Sequence, residues 1–208
     1  LDMRRCHVMG VLNVTPDSFS DGGKFSTVDE ALSRAGSMVA EGASIIDVGG
    51  ESTRPPYSAR AESRFLPKAK TGSFVEEGEE LRRVLPVIEG LKASTDVPIS
   101  IDTYKAEVAR QALKAGACFL NDVWGTFTET NIVRVAVEQS VPIILMHNQL
   151  GTDYKGDPVR EIVADLTRAR DAAFMAGVPR EDVVLDPGFG FGKDALVNLE
   201  ILRRLHEF

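Results

Sequence analysis

The feature that most constrains this chain is a sixfold recurrence: a short apolar run, a polar residue at its end, and then a segment with helical periodicity. The runs are Val8 to Leu12, Ser44 to Val48, Pro98 to Ile101, Cys118 to Leu120, Val141 to Met146 and Val183 to Leu185. Each has the length of a strand and is nearly continuously apolar, the pattern of a strand covered on both faces. Such runs separated by helices predict a parallel α/β protein, either an open sheet or a barrel. The strand ends decide between them. An open sheet concentrates its chemistry at one switch point, whereas a barrel collects residues from many strand ends around one mouth. Here nearly every run ends in a candidate: Asn13, Thr53 with Arg54, Asp102, Asn121, Met146 with His147, and Asp186. The expected fold is therefore α/β, a (β/α)8 TIM barrel. A full barrel has eight strands and typically about 250 residues, so only about six βα units are expected in this chain and the last two are expected to be missing.

Between the strands the helix signals are local. Thr27 and Glu30 have capping-box spacing ahead of Ala31, Leu32, Ala35, Met38 and Val39, with Gly42 as the stop. Leu81, Val84, Leu85, Ile88 and Leu91 mark the next helix, which Pro86 is expected to kink or locally loosen. Thr103 is placed to cap a helix with Val108, Ala109, Ala112 and Leu113 inward and Gly116 as its stop. A weaker pattern covers Ile132 to Val137, and Asp157 with Pro158 is a strong helix start. The last helix presents Leu196, Leu199, Leu202 and Leu205 as its apolar face. Residues 1–208 read as one domain, with 57–76 as an insertion that is either a functional lid or a disordered segment.

Composition serves mainly to exclude. With 24 basic and 31 acidic residues the net charge is −7, which argues against a nucleic-acid or anionic-membrane partner but leaves room for one small anion held locally. No apolar run approaches the roughly 20 residues of a membrane span, and the first residues lack a signal-peptide layout, so a cytoplasmic protein is expected. Cys6 and Cys118 sit in strand-like runs and are expected to be two buried thiols, neither bridged nor metal-bound.

Asp102, Asn121 and Asp186 should converge in a pocket walled by Val123, Met146 and Phe191. Two carboxylates and an amide form an acceptor-rich set, suited to a flat heterocycle with ring N–H and amino donors. Other readings stay open: Asp102 and Asp122 as helix caps, the acid pair as a metal site without the usual histidines, and His147 as a base, a ligand or a structural hydrogen bonder. The loop after the first strand adds Asn13, Thr15, Asp17, Ser18 and Asp21 as oxygen donors, two glycines, and one large apolar residue, Phe19.

Six motifs in order, GVLNVTPDSFSDGG, IIDVGGESTRP, ISIDT, LNDV, ILMH and LDPGFGFGK, closely resemble the dihydropteroate synthases of folate biosynthesis. The resemblance spans essentially the whole chain. It implies an enzyme that condenses hydroxymethyl-dihydropterin diphosphate with p-aminobenzoate to give dihydropteroate and diphosphate, and a target of sulfonamides. It assigns pterin contacts to Asp102, Asn121, Val123, Met146, Asp186 and Phe191. The p-aminobenzoate contacts are Phe19, Thr53, Arg54 and Pro55, and Mg²⁺ with the diphosphate falls to Asn13. Asn13, Asp17, Asp102 and Asp186 are the catalytic set. The family carries a Ser-Arg-Lys segment after its seventh strand and an Arg-x-His segment after its eighth; both lie past the end of this chain. The late helices of the usual homodimer are also missing, and the stretch 57–74 is longer than the family's second loop. Two alternatives are kept: a corrinoid-type methyltetrahydrofolate methyltransferase domain, similar in fold and in its acids, and an inactive truncated pterin-binding remnant.

Overall fold

The computed structural model describes residues 4–15, 24–51, 75–125, 131–149 and 151–208. Six strands alternate with helices in the expected order: β1 (Met9–Asn13), α1 (Lys24–Ala40), β2 (Ile45–Gly49), α2 (Glu77–Ser94), β3 (Ile99–Asp102), α3 (Ala106–Ala115), β4 (Phe119–Asp122), α4 (Ile132–Gln139), β5 (Ile143–Met146), α5 (Pro158–Ala176), β6 (Val183–Asp186) and α6 (Ala195–Arg203). All strands but β5, which ends with its run at Met146, reach one residue or more beyond the apolar runs, so Asn13, Asp102, Asp122 and Asp186 are themselves the last strand residues. The described residues form two compact units, one within 4–51 and 75–121 and the other within 122–208.

In the first unit β1, β2, β3 and β4 pair in parallel in sequence order. Its core is Ile46, Val48, Val84, Val87, Ile88, Ile99, Ile101 and Val108, all 2% exposed or less. A buried aliphatic side chain of this size contributes about 1.5–3 kcal/mol relative to exposure. Close packing against helices is set by small residues. A Cβ on Gly10 would lie 2.9 Å from Met38 Sδ of α1, and one on Gly90 of α2 would lie 2.8 Å from Leu32 Cδ1 of α1. Gly10 and Leu12 thus face α1, while Val11 shares the opposite face with Asn13 and is 49% exposed. Full cover on both faces is met at β2 but not at β1.

In the second unit β5 pairs in parallel with β6, and Val159, Ile162 and Leu166 of α5 pack with Ile201 of α6. The expected apolar face of α6 is corrected here. Leu196, Leu199 and Leu202 are 60–76% exposed, and the stripe that packs is Val197 with Ile201, four residues apart. Asp157 caps α5, its Oδ1 accepting from Val159 N at 3.0 Å. The same carboxylate takes a two-pronged bond from Arg204, at 2.9 and 3.0 Å, just past the end of α6.

Other local expectations change. α1 begins at Lys24, ahead of the proposed capping box at Thr27. Thr103 does not cap α3; its Oγ1 accepts from Lys105 N at 3.2 Å in a local turn. Cys6 and Cys118 are free thiols that are exposed rather than buried, because each precedes its strand. Among the described residues no helix is long and apolar enough to cross a membrane.

Candidate active site

Register aligns the strand ends of the first unit. Asn13 is paired with Gly49, Gly49 with Asp102, and Asp102 with Asn121. Aligned residues of a parallel sheet point to the same face, so Asn13, Asp102 and Asn121 form one polar row. Gly49 is the gap in that row: a Cβ there would lie 3.3 Å from Asp102 Oδ2 and 3.5 Å from Asn13 Oδ1. The missing side chain lets the carboxylate and the amide approach over bare backbone. One layer deeper on the same face lie Asp47 and Ser100, also in register. Asp47 is 2% exposed and Ser100 is fully buried. Asn121 Nδ2 donates to Asp47 Oδ2 at 2.9 Å. Asn121 Oδ1 and Ser100 Oγ are buried and make no hydrogen bond among the described residues. An unsatisfied buried acceptor costs about 1–3 kcal/mol, so a donor brought to Asn121 Oδ1 would gain from pairing with it.

Next to this row stands a buried ionic cluster. Lys105 Nζ donates to Glu51 Oε2 at 2.5 Å and also to Glu80, and Tyr104 OH donates to Glu51 at 2.8 Å. Glu51, Glu80 and Tyr104 are 3% exposed or less. Burial pushes the Glu80 carboxyl above its ordinary pKa, against the opposing pull of the Lys105 ammonium. Glu51 directly follows β2 and its two glycines, so the cluster ties the exit of β2 to α2 and to the start of α3.

In the second unit Met146 and Asp186 are register partners at the ends of β5 and β6. Met146 and Val123 are buried, and Phe191 is half-buried. Asp186 Oδ1 accepts from Gly188 N at 2.7 Å, a turn that uses φ +73° at Gly188. The remainder of that loop folds around Lys193, whose Nζ donates to the Phe191 carbonyl at 2.7 Å, to the His147 carbonyl at 3.2 Å and to His147 Nδ1 at 3.0 Å. An ammonium offers only donors, so His147 must accept at Nδ1 and carry its proton on Nε2, which lies 3.5 Å from Asp165 Oδ2. Burial, helped by the Lys193 charge, lowers the His147 pKa to about 3. Burial also lowers the Lys193 pKa to about 8, opposed by the negative charge of Asp186. Of the open readings for His147, the structural one fits this buried, neutral ring with Nδ1 bonded to Lys193. Among the described residues Asp122 caps no helix; its Oδ1 accepts from Trp124 N at 3.0 Å in a local turn.

Asn13, Asp102 and Asn121 are thus brought together in the first unit, and Met146 and Asp186 in the second. Asp17, Phe19, Thr53, Arg54, Pro55 and the stretch 57–74 lie outside the described residues. Asp47, Glu51 and Lys193 escaped the sequence reading. A carboxylate inside an otherwise apolar run is the mark that pointed to Asp47, and a lysine closing a glycine-rich loop the mark for Lys193. No group of three or more His, Cys, Asp or Glu among the described residues could hold a metal ion.

Comparison with known proteins gives a consistent picture. Residues 9–208 match the family model described as pterin binding enzyme. The dihydropteroate synthase of Clostridium beijerinckii is 46% identical over 201 residues, which cover 97% of this chain and 69% of that protein. The crystal structure of a dihydropteroate synthase from Clostridium difficile in the presence of pteroic acid aligns with TM-score 0.86 and 48% identity, covering 98% of this chain and 72% of that one. A Xanthomonas albilineans dihydropteroate synthase with 4-aminobenzoic acid aligns with TM-score 0.87 and 40% identity, covering 100% of this chain and 70% of that one. The α/β barrel class expected from the strand ends, with six βα units in this chain, is the fold of these structures.

Proposed function

The chain belongs to the pterin-binding enzyme family, as a dihydropteroate synthase, and from that premise we propose how its residues divide the work. Asp102, Asn121 and Asp186 hold the pterin, with Val123, Met146 and Phe191 as apolar walls. Phe19, Thr53, Arg54 and Pro55 receive p-aminobenzoate, where sulfonamides compete. Asn13 and Asp17 serve the diphosphate. The observation that supports the pterin assignment is the polar row that ends in Asn121 Oδ1, a buried acceptor with no hydrogen bond among the described residues.

The reaction breaks the C–O bond between the pterin methylene and the diphosphate and forms a C–N bond to the arylamine. The diphosphate leaves with the electron pair, and the amine nitrogen releases one proton. Positive charge grows on the pterin ring as the bond breaks, and the Asp102 and Asp186 carboxylates favour that state. Neutral p-aminobenzoate is already nucleophilic. No strong base is needed, in keeping with a His147 whose basicity is suppressed by burial. The donor set at Asn13 suits Mg²⁺, which commonly takes one or two protein oxygens and fills its remaining positions with water and phosphate oxygens. Bound there, Mg²⁺ would neutralise charge on the departing diphosphate.

We read residues 1–208 as one pterin-binding domain of a cytoplasmic protein that acts on small molecules and binds neither nucleic acid nor membrane. The test is diphosphate release from hydroxymethyl-dihydropterin diphosphate. Release that requires p-aminobenzoate and falls on adding sulfonamide is expected. Methyl transfer from methyltetrahydrofolate to a cobalamin acceptor without diphosphate release would overturn the proposal, and a folded protein that binds pterin without turnover would mark a remnant.

A further inference from the structure

We propose that Asp47 is a positioning residue that fixes which way the Asn121 amide faces, and so makes the end of β4 selective for a heterocycle edge that donates a hydrogen bond. The inference rests on the pterin reading of the site above. A terminal amide has two faces of nearly equal shape, one donating and one accepting, and nothing in the Asn121 side chain itself prefers either. Asp47 breaks that symmetry. It is 2% exposed, it lies in the row beneath Gly49 and Asp102, and its Oδ2 receives Asn121 Nδ2 at 2.9 Å. With Nδ2 donating to a carboxylate oxygen of Asp47, the NH2 group points down to Asp47 and Oδ1 points away from it. Oδ1 is buried and has no partner among the described residues, and Asn121 as a whole is 6% exposed. A flipped amide would set an oxygen against a buried carboxylate, two acceptors face to face. Asp47 therefore acts on the ligand through Asn121, from a layer below the pocket.

The experiment swaps the pair. In Asp47→Asn the residue at 47 can donate as well as accept, so Asn121 loses its enforced orientation. The dissociation constant for 6-hydroxymethylpterin, measured by calorimetry on the protein, should rise about tenfold, the effect of one charge-assisted hydrogen bond. The double variant Asp47→Asn with Asn121→Asp puts a donor at 47 against an acceptor at 121 and again leaves an oxygen facing the ligand. It should bind within about threefold of the wild type. The KM for p-aminobenzoate should be unchanged in Asp47→Asn, which a general loosening of the fold would not allow. If Asp47→Asn does not fold, the double variant and Asn121→Ser carry the comparison, with Asn121→Ser expected to lose affinity and the double variant to keep it. Unchanged affinity in Asp47→Asn, or a double variant no better than either single one, overturns the proposal. Failure of the synthase reading is seen separately, as pterin binding without diphosphate release in the wild type.

Discussion

Gly188 has no room for a side chain. An added Cβ would lie 2.0 Å from the His147 carbonyl oxygen, and φ is +73°. Left-handed backbone costs a residue with a Cβ about 1–2 kcal/mol and overpacking about 1–3 kcal/mol more. Gly188→Ala is expected to lower stability by about 2–5 kcal/mol, read from the denaturant midpoint, and to weaken pterin binding because Asp186 loses its bond from Gly188 N. Individual residues also show where the sequence was legible. Asp102, Asn121 and Asp186 each stop an apolar run, and that interruption is visible without coordinates. Asp47 stands inside a run, and its partner Asn121 lies 74 residues further on, so only the register of three strands reveals the pair.

At the scale of elements the buried Lys105 cluster holds β2, α2 and α3 together. Removing one member of a buried ion group leaves the others charged and unpaired, a loss of about 3–5 kcal/mol. Lys105→Met is expected to show a loss of that size in chemical denaturation, and the triple variant with Glu51→Gln and Glu80→Gln should recover most of it. A triple variant as unstable as the single one would mean that Lys105 matters by packing alone. Strand and helix order could be read from the sequence because each element carries its own period. Helix starts were less legible. Asp157 announces α5 because proline follows it, whereas α3 starts after Lys105 with no side-chain cap and α1 starts ahead of Thr27. The face of α6 was misread because the helix has two apolar stripes, and only contact with α5 chooses between them.

For the molecule as a whole, acid stability should carry the signature of one buried ring. The His147 pKa is about 3 when folded against 6.5 for an ordinary histidine. Between those values the unfolded chain binds more protons than the native one, so stability falls as pH is lowered through that window. The contribution reaches roughly 3 kcal/mol by pH 4. His147→Asn should flatten the fall in stability from pH 6.5 to pH 4, measured by urea denaturation, and a slope identical to the wild type would show that the ring titrates normally. Asp157 has a different consequence for the molecule. One carboxylate closes the first turn of α5 and grips Arg204 beyond α6, so neither helix end can fray without releasing the other. Amide hydrogens near Val159 and near Arg204 should then exchange with solvent at similar rates and with the same dependence on denaturant. Two stretches more than forty residues apart would behave as a single opening event, and Arg204→Met should split it into two.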